Sequence, residues 1–207
     1  MEFNNVFKEI IGDLDAFDEV REQIIVLGRK GIRSCSEAIK KLHRHENGVD
    51  QLIDDVRKAL KEMLEVASRH PKLQFGSYFD GIYQEFTEAC LLKSIFTGSK
   101  FPMPSELDPP VPAVQYLTGL CDTIGELRRA VLDCIREERF EDALKYFGIM
   151  EKLHDHVNAL DYPNAVIPDV RHKADGNRKL INATRSELTM AMHIDKLNTN
   201  LSKTKKA

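Results

Sequence analysis

Tyr78-Phe-Asp-Gly-Ile-Tyr-Gln-Glu85-Phe-Thr-Glu88-Ala-Cys-Leu-Leu-Lys-Ser-Ile-Phe96 reads as a helix that is apolar on nearly every side. At about 100° per residue, Tyr78, Gly81, Ile82, Ala89, Leu92 and Phe96 share a side with Glu85. Phe79, Tyr83, Phe86, Cys90 and Leu91 occupy the opposite side. A helix with that pattern belongs in an interior. A carboxylate there is desolvated at high cost unless a cation or a hydrogen-bond donor meets it. Glu88 follows Glu85 by three positions, so both acids can reach one point in space.

A second acidic pair lies further along the chain. Asp122 and Glu126 are four apart on a face that also carries Thr118, Gly119 and Gly125. Small residues leave room there for something other than side chain. Four carboxylates from two helices suit a hard divalent cation such as Mg²⁺, which prefers oxygen ligands. The same residues can instead form an ion-pair network, since Arg128 and Arg129 follow directly and Arg129 shares the Asp122 face.

The surrounding chain is helical in pattern. Phe3, Phe7, Ile10, Leu14 and Phe17 step by fours and threes, as do Leu52, Val56, Leu60, Met63 and Ala67, and again Val114, Leu117, Cys121 and Ile124. Strand alternation is absent. The expected fold is all-α: a single-domain bundle of about six or seven long antiparallel helices, with segments near 2–46, 49–69, 77–97, 112–137, 140–160 and 170–197. Gly28 and Gly31 make a kink conceivable in the first. Asn47-Gly48 and Pro71 mark breaks. The stretch 98–112 holds Pro102, Pro104, Pro109, Pro110 and Pro112, and reads as a stiff crossover loop inside one domain covering 1–207. A second loop, 161–169, carries Pro163 and Pro168, and 198–207 reads as a frayed basic tail.

Composition sets the outer bounds. A net charge of −3 offers no global field for nucleic acid, so any such site must be local. Cys35, Cys90, Cys121 and Cys134 make no C-x-x-C and sit in apolar segments, as reduced thiols of a cytoplasmic protein would. The N-terminus lacks the basic region of a signal peptide, and no apolar run reaches the ~18 residues of a membrane span. On the first helix, Arg29, Arg33, Ser36, Lys40, His43 and Arg44 share one face, opposite Ile25, Ile32, Cys35, Ile39 and Leu42. Such a row can track a phosphate backbone, or be an ordinary solvated surface. A weaker basic run is Arg171, His172, Lys173, Arg178, Lys179 and Arg185, interleaved with acids. Glu151-x-x-His154 occurs once, where a di-iron bundle needs two such motifs. Walker, G-x-S-x-G, H-E-x-x-H and Rossmann signatures are missing.

Two stretches carry a family likeness. Gly81-Ile-Tyr-Gln-Glu85-Phe-Thr-Glu88-Ala89 resembles the helix that bears the catalytic glutamates in translin-associated factor X. Tyr116-Leu-Thr-Gly119-Leu-Cys-Asp122-Thr-Ile-Gly125-Glu126-Leu-Arg128-Arg129 resembles the same family's "GxxDxxGELxR" helix. Arg29 with Ile39-x-x-Leu42-His43-Arg44, and the region Arg178 to Thr189, are similar to its first and last helices. The resemblance to the translin superfamily, on its factor X side, implies a subunit of a closed homo-oligomer, an octameric barrel with its sites facing inward. It implies Mg²⁺-dependent (alternatively Mn²⁺-dependent) endoribonuclease action on mainly single-stranded RNA, with DNA as a further ligand and no membrane partner. Glu85, Glu88 and Asp122 match the catalytic and metal-binding acids, and Glu126 the fourth acidic position. Arg29, Arg33, Lys40, His43, Arg44 and Arg129 are the expected nucleic-acid contacts. The basic N-terminal extension of larger relatives is missing, which fits a compact self-assembling form. Two other readings stand beside this one. A non-catalytic oligomer would hold single-stranded DNA or RNA. An all-α nucleoside triphosphate pyrophosphohydrolase would share Glu85-x-x-Glu88, although Asp122-x-x-x-Glu126 departs from its usual Glu-x-x-Asp.

Overall fold

The computed structural model describes residues 2–70, 73 and 77–204. Among these there are six α-helices, two short 3-10 turns and no strand. The helices are α1 (Glu2–His43), α2 (Val49–Ser68), α3 (Asp80–Thr97), α4 (Ala113–Arg136), α5 (Phe140–Asn158) and α6 (Val170–Thr204). All six expected segments are present. At the C-terminus the last helix runs to Thr204, beyond the expected segment 170–197. The hydroxyls of Ser202 and Thr204 donate to the carbonyls of Asn198 and Asn200 at 2.8 and 3.0 Å, a bond that i, i−4 spacing in a helix allows. Residues 205–207 of the expected tail lie outside the described residues. Among the described residues no helix is long and apolar enough to cross a membrane. The chain divides into two compact units, Met1–Tyr116 and Leu117–Ala207.

The first unit is built on α1 against α2 and α3. Ile24, Cys35, Ala38, Ile39 and Leu42 of α1 are buried, as are Ile53, Val56, Leu60, Met63 and Ala67 of α2. Gly28 and Gly31 do not interrupt α1, which is a single helix of 42 residues. They let neighbouring helices approach instead. A Cβ on Gly31 would fall 2.3 Å from the Ile82 Cδ1 of α3, a distance no real side chain tolerates. Helix α3 carries the interior pattern expected of it: Ile82, Tyr83, Phe86, Ala89, Leu91, Leu92 and Ile95 are all buried. It ends at Gly98, whose φ of 67° is a left-handed conformation natural to glycine. The proline-rich loop is held down by Tyr116, which donates from its hydroxyl to the Pro102 carbonyl at 2.5 Å. Lys61 of α2 pairs with Asp108 of the loop at 2.7 Å.

In the second unit α4 turns sharply into α5 at Glu138 (φ 59°), where the Arg139 guanidinium binds Glu137 at 2.9 Å and Asp142 at 2.5 Å. Helix α5 buries Ala143, Phe147, Met150 and Val157 at helical spacing. The buried seam of α6 is Val170, Ala174, Asn177, Ile181, Thr184 and Leu188. Its two polar members have partners on α4. Asn177 donates to the Cys121 carbonyl at 2.9 Å, and Thr184 accepts from Arg128 at 2.5 Å.

Candidate functional site

The acid pairs belong to different units. In the first unit, Glu88 is only 7% exposed, and Glu85, one turn earlier on α3, is half-buried. Cys35 of α1 stands near both. Burial first, then the charges of Glu85, Cys90 and Glu88, push its thiol well above the ordinary range. The acids of α3 are therefore reached by the inward face of α1, while the basic stripe occupies the outward one. Arg29, Arg33, Lys40 and Arg44 lie along it, with Lys40 3.8 Å from Glu37 and Arg44 3.8 Å from Glu46. His43 differs from the rest of the stripe. Its ring is half-buried and meets Phe96 of α3 edge-on, with centroids 5.4 Å apart and planes at 84°. It is a packing residue as much as a surface one.

In the second unit, Asp122 is half-buried and accepts from Lys173 Nζ of α6 at 2.5 Å. Glu126 lies 3.6 Å from Arg129, one turn away on the same helix. Arg128 reaches across to Glu187 at 3.0 Å as well as to Thr184. A Cβ on Gly125 would meet no described atom within 4 Å, so the glycine on the Asp122 face does face open space. Among the described residues, no group of three or more His, Cys, Asp or Glu side chains gathers as an ion cage would. Each unit supplies one pair of carboxylates.

Lys173 is a site residue that the sequence shows only as a member of a diluted basic run. The buried, polar Asn177 and Thr184 in an otherwise apolar seam are the signal that α6 lies against polar groups on another helix. The four cysteines are all buried. Burial raises Cys90 to about 12 and Cys121 to about 11, which leaves no thiolate for nucleophilic chemistry near neutrality. His154, of the Glu151-x-x-His154 motif, has its Nε2 3.2 Å from the Ala174 carbonyl.

The class these features define is an all-α protein with paired acids on buried or half-buried helix faces and a basic stripe on the outward side of its first helix. Residues 18–183 match the Translin family, and the chain belongs to it. It is 31% identical over 184 residues to the uncharacterized protein MJ0175 of Methanocaldococcus jannaschii, covering 89% of this chain and 82% of that protein. Among solved structures, it resembles AfC3PO in its crystal structure (TM-score 0.75, 25% identity, covering 91% of this chain and 97% of that one). It also resembles AfC3PO in its complex with duplex RNA (TM-score 0.80, 24% identity, 93% and 98%). A third likeness is to apo-NeC3PO (TM-score 0.75, 19% identity, 89% and 96%).

Proposed function

We propose that this chain is a Mg²⁺-dependent endoribonuclease of the translin-associated factor X type, hydrolysing RNA inside a closed homo-oligomer, with an octamer as the expected size. The observation that carries this reading is Glu88, a carboxylate 7% exposed, one turn from Glu85, on a helix whose other buried positions are apolar apart from the neutral Thr87 and Ser94. A carboxylate is costly to desolvate at such a position, and chemistry is the recurrent reason for keeping one there. Membership of the Translin family supports the reading, and AfC3PO in complex with duplex RNA supports RNA as the ligand class.

The donor chemistry fits a hard divalent cation. Glu85, Glu88, Asp122 and Glu126 offer only carboxylate oxygens, and Asp122 already stabilises a positive charge, the ammonium of Lys173 at 2.5 Å. Glu85 and Glu88 in the first unit, and Asp122 and Glu126 in the second, are the acids that would take Mg²⁺, or Mn²⁺ in its place. Such an ion supplies Lewis acidity toward the scissile phosphate and an activated water. The chain's own cations have separate work. Arg29, Arg33, Lys40 and Arg44 would bind successive phosphates along α1, His43 would hold the end of that stripe against Phe96, and Arg129 would balance Glu126 or reach the strand. The cytoplasm is the compartment this reading expects.

A second reading has its own support. The Asp122–Lys173 and Glu126–Arg129 pairs are what a non-catalytic oligomer binding single-stranded DNA or RNA would use to neutralise the same acids. Family membership lends no support to a nucleotide pyrophosphohydrolase. Labelled single-stranded and duplex RNA, incubated with and without Mg²⁺, decide between the two. The nuclease reading expects product only with Mg²⁺, lost in Glu85→Gln and Asp122→Asn while RNA binding is retained. Equal cleavage by wild type and both variants rejects it. Salt-sensitive binding with no product at millimolar Mg²⁺ selects the second reading.

A further inference from the structure

Lys173 stands at the end of its helix least suited to a cation. Helix α6 opens with Val170-Arg171-His172-Lys173 and carries no acid in its first turn. That end is the positive pole of the helix dipole, where a positive side chain is disfavoured. Arg171 and His172 are exposed, so water and salt screen them. Lys173 is drawn in, its side chain 27% exposed, with Nζ 2.5 Å from Asp122 Oδ1 of α4. A partly exposed ion pair returns little more than the dipole takes. Stability is therefore a weak reason for an ammonium at this position.

The backbone beneath Lys173 is fixed, whereas its head is not. One turn on, Asn177 is 6% exposed and donates to the Cys121 carbonyl, in the peptide that leads into Asp122, at 2.9 Å. Ala174, next to Lys173, is buried as well. What remains adjustable is a flexible four-carbon stem with a compact charge at its tip, able to change partner without moving the helix. Room for a partner lies on the Asp122 face, where a Cβ on Gly125 would meet no described atom within 4 Å.

One oxygen of Asp122 cannot serve both Lys173 and a divalent ion, because two cations held that close repel. The displaced ammonium then needs another anion within reach. A phosphate oxygen on the same ion is one. Oxygens around a small hard ion lie about 2 Å from it, and so about 3–4 Å from one another. A change of side-chain rotamer covers that distance from the place Nζ already occupies.

We propose that Lys173 is a contact for an RNA phosphate: it neutralises Asp122 until a divalent ion takes that carboxylate, and then passes to a phosphate of the strand. The proposal rests on the metal-dependent reading above and adds a substrate contact to it. Ion and RNA then favour each other's binding through one side chain, and such coupling is reciprocal.

The test uses the full-length chain carrying Glu85→Gln, which the nuclease reading expects to bind RNA without cutting it, and which leaves the acids of the second unit in place. Affinity for labelled single-stranded RNA is read by fluorescence anisotropy over a salt series, in EDTA and in millimolar Mg²⁺, and calorimetry with Mg²⁺ alone reads the ion. Mg²⁺ is expected to tighten RNA binding by about fivefold or more. Adding Lys173→Met should abolish that gain while leaving the affinity in EDTA within about twofold, and Lys173→Arg should restore part of it. With Mg²⁺ present, Lys173→Met should also make the slope of log affinity against log salt shallower by about 0.7, the share of one phosphate on a single strand; in EDTA the slope should not change. Equal weakening with and without Mg²⁺, or no weakening in either, overturns the proposal. An Mg²⁺ gain that survives Lys173→Met removes this proposal and leaves the metal-dependent reading standing. No Mg²⁺ heat and no Mg²⁺ gain in the parent removes both. If Lys173→Met loses helicity, Asp122→Asn replaces it. Lys173, freed from its partner, should then raise RNA affinity in EDTA toward that of the Mg²⁺ form, and no rise overturns the proposal.

Discussion

Lys173 Nζ stands 2.5 Å from Asp122 Oδ1, tying the first turn of α6 to the middle of α4 with both side chains 27% exposed. One of the four carboxylates of the proposed chemistry is therefore already paired with a cation. That pairing can compete with a metal ion or replace one, and the difference is measurable.

If Asp122 is a metal ligand, Lys173 and the divalent cation compete for one oxygen. A partly exposed pair is worth about 0.5–1 kcal/mol. Lys173→Ala should then lower the half-saturating Mg²⁺ or Mn²⁺ concentration by about two- to fivefold. Isothermal calorimetry with the metal alone reads this without any need for activity. An unchanged metal affinity would mean that Asp122 is structural.

Acids retained for function burden stability. Glu88→Gln and Glu85→Gln keep shape and hydrogen-bonding groups while removing the negative charge, so acids kept for chemistry rather than for the fold should leave the thermal midpoint unchanged or raised. An increment of about 1 kcal/mol corresponds to about 2–4 °C for a chain of this size. If scanning calorimetry finds both midpoints lowered, the acids are holding the fold together.

Gly31 is required by the approach of α3. Gly31→Ala brings a Cβ to 2.3 Å from Ile82 Cδ1 and should destabilise by about 1–3 kcal/mol. Ile82→Val removes that methyl and should restore part of the loss. Urea unfolding of the two single variants and the double should give a coupling well above zero; additive effects would contradict the packing of α3 on α1.

The buried thiols set a pH dependence. Cys121 and Cys90, raised to about 11 and about 12 chiefly by burial, hold their protons in the native state when the unfolded chain has begun to lose them near 9. The native state binds more protons in that window, so the stability they contribute is complete below about pH 9 and declines as pH rises toward 11. Cys121→Ala should make the midpoint less steep over about pH 8.5–10.5 than in wild type. Equal slopes would show that the thiol is not protected.

On α1, Arg33→Glu and Lys40→Glu should weaken RNA binding and make the slope of log affinity against log salt shallower, by about 0.7–0.9 for each phosphate no longer neutralised. His43→Ala should affect the thermal midpoint more than the slope, because its ring packs on Phe96. Binding measured by fluorescence anisotropy over a salt series separates the two effects, and a salt slope unchanged by the arginine and lysine substitutions would leave the stripe as solvated surface.

Periodicity along the chain is enough to specify the six helices and the interior character of α3, because burying carbon on one or on all faces leaves a trace in the order of residues. The acids Glu85, Glu88, Asp122 and Glu126 stand out on the same ground, as charges where carbon is expected, and the outward basic stripe of α1 follows from spacing alone. Contacts between segments distant in sequence leave no such trace. That Lys173 meets Asp122, that Asn177 and Thr184 answer groups on α4, that His43 lies against Phe96, and that Gly31 admits Ile82 rather than kinking α1 all depend on which helix lies beside which. A pattern within one helix records which face is covered, but the identity of what covers it is fixed only when separate helices pack.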